Sequence, residues 1–204
     1  MRYDKFLVAI MASALLFCTQ THGAPSPVSN ANKANIQNYD SPFTVFPVDK
    51  AVITAALENF SQWKSATYGI QEGVLEAAPN SLVISRQEMN GIKSFSDIIK
   101  NYLTDDIVDS FMQRNKSASP IAALISGSPS VRLQQSPHTT PPDWLPDGVR
   151  ATGSLTLPGF NADGTRAFVE IHHSWSVHGA ITMFILSLDQ GQWKVIARDQ
   201  MVFL

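Results

Sequence analysis

One cysteine, Cys18, is all that 204 residues contain, and it lies close to the N-terminus. The chain beyond it has no route to a disulfide or to a thiolate metal site, so it must fold on its apolar core alone. Past the first two dozen residues no apolar run approaches the roughly 18 residues that a membrane-spanning helix needs. Charge is sparse and mixed: 15 basic against 17 acidic groups, net −2 at pH 7. A balance this small argues against nucleic acid or an anionic membrane surface as partner. There is no G-x-S-x-G elbow, no EF-hand loop and no internal repeat, which removes the motif-bearing forms of serine hydrolysis, calcium binding and solenoid architecture.

What is present begins with a targeting segment. Arg2 and Lys5 precede an apolar stretch over residues 6–17, ended by Gln20, Thr21 and His22 and followed by the small residues Gly23 and Ala24. Its length and flanks are those of a secretory signal rather than of a span. Cleavage is expected after Gly23. Leu15-Leu16-Phe17-Cys18 gives a lipoprotein alternative, with a bulky Phe17 where that signal takes a small residue. Signal (1–23), a disordered Ser/Asn/Pro-rich leader (24–47) and one domain (48–204) are the expected parts, and localisation is expected to be periplasmic or secreted. About 180 residues remain after cleavage, enough for one self-sufficient core.

Within the domain, Val52, Ile53, Ala56, Leu57 and Phe60 mark one apolar stripe of a helix that Asp49 is expected to cap and Tyr68-Gly69 to end. Residues 81–85 read as a short strand, the expected partner of the C-terminal sheet. Ser94 or Ser96 starts a helical piece, and Thr104 a second, with Asp105 and Asp106 in its first turn and Asn115 as its stop. Residues 121–125 suit a helical turn and 131–133 a short strand. The Pro-rich stretch 136–146 is expected as a surface loop.

The C-terminal third reads as a β-meander with strands over 149–156, 166–175, 180–188 and 193–203. Asn161-Ala162-Asp163-Gly164 and Asp189-Gln190-Gly191 supply turns. Alternation puts Ala167, Val169, Ile171 and His173 on one face of the second strand and Phe168, Glu170, His172 and Ser174 on the other. The third strand is apolar on both faces, as a covered central strand requires. In the last strand Trp193, Val195 and Ala197 are expected on one side, Lys194, Ile196 and Arg198 on the other. The fold class is therefore α+β: an antiparallel C-terminal β-meander packed against N-terminal and central helices.

Gly159-Phe160-Asn161-Ala162-Asp163-Gly164-Thr165-Arg166-Ala167-Phe168 resembles the "GFN-x-D-x-T-x-A-hydrophobic" strand of a group of uncharacterised bacterial secreted and envelope proteins. His178-Gly179 and Gly191-Gln192-Trp193-Lys194-Val195 fit that group's glycine corner and closing "G-x-W-x-V" hairpin. Residues 109–115 resemble the end of its helix. The resemblance implies secretion and an α+β fold and carries no reaction. Relatives in that group place cysteines at the corner between the long strands, where this chain has Ser174, Val177 and His178. The closing hairpin also resembles NTF2-like, cystatin-related folds. That analogy implies a small-ligand pocket between the sheet and the 49–63 helix, lined by Phe168, Phe184 and Trp193.

The densest polar cluster is Glu170, His172, His173, Ser174, Ser176 and His178, which holds three of the five histidines. Glu170, His172 and His178 could serve as metal ligands, since imidazole with carboxylate suits zinc. With Ser174 the same residues are the candidates for acid–base or nucleophilic chemistry. The bland alternative is a solvated strand end with polar side chains. Trp144, Trp175 and His173 are the candidates for contact with a ligand or partner, the tryptophans as aromatic anchors. Asp105, Asp106 and Asp109 are explained by their place on a helix. The function expected is an exported, non-catalytic binding or interaction module. Its partner would be a protein or an envelope component, with no cofactor, no nucleic acid and no span after signal removal. The alternatives are a metal-binding protein or hydrolase at the Glu170/His172/His178 corner, and an NTF2-like pocket.

Overall fold

A computed structural model describes residues 47–68, 74–134, 149–175 and 178–203, without the side chains at 63–68, 74, 149, 150, 175 and 178. The expected signal, leader and loop 136–146 lie outside the described residues. So do Trp144 and Ser176 and the side chains of Trp175 and His178.

Helix α1 (Pro47–Tyr68) opens the domain. It starts two residues before the expected cap, because Pro47 suits a first turn whose N–H groups have no helical partner. Asp49 is thus inside the first turn, and its carboxylate is engaged elsewhere. Strand β1 (Val74–Ala77) follows, then α2 (Arg86–Phe95), α3 (Asp97–Lys100), α4 (Asp105–Arg114), α5 (Ala122–Ile125) and β2 (Val131–Leu133). The sheet is completed by β3 (Val149–Leu155), β4 (Gly159–Phe160), β5 (Arg166–Trp175), β6 (His178–Asp189) and β7 (Gln192–Phe203).

The expected α+β class with its antiparallel C-terminal meander is what the chain forms. Strand order is β2-β1-β3-β5-β6-β7, with β4 beside the first half of β5. The β3–β5, β5–β6 and β6–β7 pairs are antiparallel. Two parallel pairs, β1 with β2 and β1 with β3, extend the sheet beyond the meander. Residues 81–85 are not the strand expected of them. Their amides bond to three separate places, Ser81 N–H to Ser119 O, Leu82 N–H to Leu155 O and Ile84 N–H to Asn115 O, which is no ladder. The sheet partner is instead β1, whose four residues include Glu76 and so show little strand pattern.

Each face of the sheet buries its own apolar cluster. On one side Val52, Ile53, Leu57 and Phe60 of α1 pack with α5 against Ala167, Val169, Ile171, Phe184 and Leu186. On the other, Met89, Ile92, Ile99, Ile107 and Phe111 of α2–α4 pack against Phe168, Met183 and Ile185. Phe111 meets Phe168 edge to face at 4.8 Å. β6 is covered on both sides, as its sequence requires. The alternation in β7 breaks at Ile196: Ile185 pairs with Ala197 and Leu186 with Val195, leaving Ile196 as a bulge. Trp193 and Val195 therefore join the α1 side while Ala197 joins the other, contrary to the simple period-two expectation.

Local signals place the helices on the second face. Ser85 and Glu88 form a reciprocal capping box, Glu88 N–H to Ser85 Oγ (3.2 Å) and Ser85 N–H to Glu88 Oε2 (2.7 Å). Ser96 caps α3 through Ile99 N–H and reaches Asp199 Oδ2 on β7 at 2.6 Å. Thr104 precedes α4 without capping it; Asp106 accepts from Ile107 N–H and from Ala162 N–H in the β4–β5 turn. Gly159 is obligatory where β4 passes α4, since a Cβ there would lie 2.5 Å from Phe111 Cβ. Among the described residues no helix is long and apolar enough to cross a membrane.

Candidate functional site

Alternation along β5 separates the residues of the expected cluster. Glu170, His172 and Ser174 fall on the face covered by α2–α4, and His173 turns to the face covered by α1. There His173 is buried, with Nε2 3.0 Å from Thr182 Oγ1 and its ring edge-on to Phe60 at 4.9 Å. The α1 stripe closes over its side chain, and His173 is also among the residues that line the cleft described below.

Glu170 is the departure from a solvated strand end. It is fully buried. Its backbone is fixed to Thr156, with N–H donating to Thr156 Oγ1 (2.9 Å) and the carbonyl accepting from Thr156 N–H (3.1 Å). One carboxylate oxygen, Oε2, lies 2.8 Å from His172 Nε2. The other, Oε1, is buried and meets no hydrogen-bond partner. A buried acceptor left unmet costs on the order of 1–3 kcal/mol, more when charged. Burial accordingly pushes the Glu170 carboxyl above its ordinary 4.5; His172 pulls it back through its hydrogen bond and charge, and Glu88 pushes it further up. The capping bonds from Ser85 hold the Glu88 carboxyl below its usual range.

These groups line a cleft of about 770 Å³ between α2 and the sheet. Glu88, Gly91 and Ile92 form its helical wall. Thr152, Ser154, Glu170, His172 and Ser174 form its polar floor, and Ile181, Met201 and Phe203 its apolar side. A volume of this order is that of a small-ligand site. Register explains the floor: Ser154 lies opposite His172, and Thr152 opposite Ser174. His172 is partly exposed, so the pair runs from a buried carboxylate to the cleft.

Of the candidates, then, Glu170 and His172 are brought into contact, and Ser174 shares their cleft without a hydrogen bond to His172. Among the described residues no three His, Cys, Asp or Glu side chains converge to hold a metal ion. The pocket expected from Phe168, Phe184 and Trp193 does not form from those three, because Phe168 packs on one face of the sheet and the other two on the opposite one. Glu88, Gly91 and Ser154 were not among the sequence candidates. The S-x-x-E pattern of Ser85 and Glu88 was there to be read as a helix start, and a helix at 86–95 would have covered Glu170.

Compared with protein-family models, with curated proteins and with solved structures, the chain matches none.

Proposed function

We propose that the protein is an exported, non-catalytic binding domain of the periplasm or extracellular space, and that its site is the cleft between α2 and the β3–β5–β6 floor. The observation that carries the reading is Glu170 Oε1, a buried acceptor with no partner in the wall of a cleft of ligand size. Buried acceptors without a partner are few in native folds and each calls for an explanation, which a ligand donor in this cleft supplies. Export rests on the n-region, apolar stretch and small residues of 1–24, and the resemblance to secreted and envelope proteins points the same way.

The test uses Gly91. A Cβ there meets nothing within 4 Å, so Gly91→Trp fills the cleft from the helix side without disturbing the core. A fragment screen by amide chemical-shift mapping should find ligands that move cleft residues in the wild type and not in Gly91→Trp. Ligands that map elsewhere, or none, would remove the reading. Intact mass of the exported protein checks the other half: cleavage after Gly23 is expected, and a lipidated Cys18 would replace it with a membrane anchor.

A second reading has its own observation. The 2.8 Å contact between His172 and Glu170 is the arrangement of an acid–base pair. It requires turnover of an ester or phosphoester panel that Glu170→Gln and His172→Ala both abolish.

A further inference from the structure

The cleft is electrically one-sided. Among the described residues that line it are two carboxylates, Glu88 and Glu170, and no lysine or arginine. Glu170 is held rigidly: its backbone is bonded twice to Thr156, and His172 occupies Oε2. The unused valence is therefore at one defined atom, Oε1, and it is an acceptor. Glu88 is exposed at the same wall, where the capping box fixes its place. Beside these lie Ile92, Ile181 and Met201, which offer apolar surface and no hydrogen-bonding group of their own apart from a weak thioether.

Resting on the reading of this cleft as a binding site, we infer that its ligand is a small organic cation, a primary amine or guanidine carried on a short apolar stem, whose N–H donates to Glu170 Oε1. An ammonium supplies the missing hydrogen bond and the counter-charge in one group. Charge-assisted bonds of this type are about twice as strong as neutral ones. The His172 ring meets the same carboxyl group at its other oxygen, so the ligand adds a donor at Oε1 without displacing His172. Glu88, nearer solvent, adds attraction at the mouth that salt screens. The stem packs on Ile92, Ile181 and Met201, and that contact separates an amine with a hydrocarbon body from bare ammonium or a metal ion. An anionic ligand would meet two carboxylates and, among the described lining residues, no lysine or arginine to offset them.

Three matched probes test this: benzylamine, benzyl alcohol and benzoate, which share ring and size and differ in charge. In amide chemical-shift titrations of the folded domain, benzylamine should move residues around Gly91, Gly153 and Gly179, while the alcohol binds more weakly and benzoate not at all. Glu170→Gln keeps the shape and removes the charge. It should weaken benzylamine by roughly 10- to 100-fold, the worth of one hydrogen bond to a charged group, with the spectrum of the folded domain unchanged. Glu88→Gln should cost only about two- to fivefold, and that loss should vanish in high salt. Equal affinity for the alcohol, binding of benzoate, or an undiminished Glu170→Gln would overturn the cationic ligand and leave the cleft reading standing. Silence from all three probes overturns this inference as well. The fragment screen with Gly91→Trp then decides separately whether the cleft binds anything.

Discussion

Glu170 carries an electrostatic strain that pH should reveal. Its carboxyl is raised from 4.5 in the folded protein, chiefly by burial. Between that value and the folded one the native state holds a proton that the unfolded chain has released, so stability falls as pH rises through that window and levels off above it. Each unit of upward displacement corresponds to about 1.4 kcal/mol. Glu170→Gln cannot ionise, so its stability relative to the wild type should improve as pH rises above 4.5 and then level off. Urea denaturation from pH 4 to pH 8 measures this, and parallel curves for the two proteins would refute it. The pairing of Glu170 with His172 on one strand face was legible, because alternation is local. Its burial was not, since that depends on α2, whose apolar residues Met89 and Ile92 are too few to announce a helix by periodicity.

At the scale of elements, α2 is a ten-residue helix whose N-terminus rests on the Ser85–Glu88 box. It also supplies one wall of the cleft. Ser85→Ala should cost about 1 kcal/mol of stability, the usual worth of an N-cap. It also frees Glu88, so amide exchange should quicken first in residues 86–95. Uniform acceleration across the sheet would mean that α2 does not open on its own. The strands of the meander could be read nearly residue by residue, since turns at Gly164 (φ +69°) and Gly191 (φ +80°) and an alternation broken only at the Ile196 bulge specify them. β1 and β2 could not be read as partners. They are short and parallel, and each is defined by a neighbour distant in sequence.

For the whole molecule, a buried ion pair ties the start of the fold to its middle. Arg114 on α4 grips Asp49 on α1 in bidentate fashion at 2.7 and 2.8 Å. It also donates to Pro158 O and lies over the Phe160 ring. Both partners are buried, so removing one strands the other's charge. Arg114→Met should cost about 3–5 kcal/mol, and the double variant with Asp49→Leu should recover much of that loss. Chemical denaturation of the two single variants and the double variant settles it; additive losses would show that the pair does not act as a unit. Nothing local in the sequence announced this contact. Asp49 read as a cap and Arg114 as a favourable charge at a helix end, and only the folded structure brings the two together.

The bulge at Ile196 bears on what the molecule avoids. Among the described strands β7 is the outermost, and it is twelve residues long. A second copy laid along that edge would keep step on one side of position 196 and lose it on the other, so growth by strand addition is frustrated from the start. Deleting Ile196 would join Val195 to Ala197 in unbroken alternation and leave every inward side chain on its present face. The domain should still fold, and light scattering should then show more association through that edge than in the wild type.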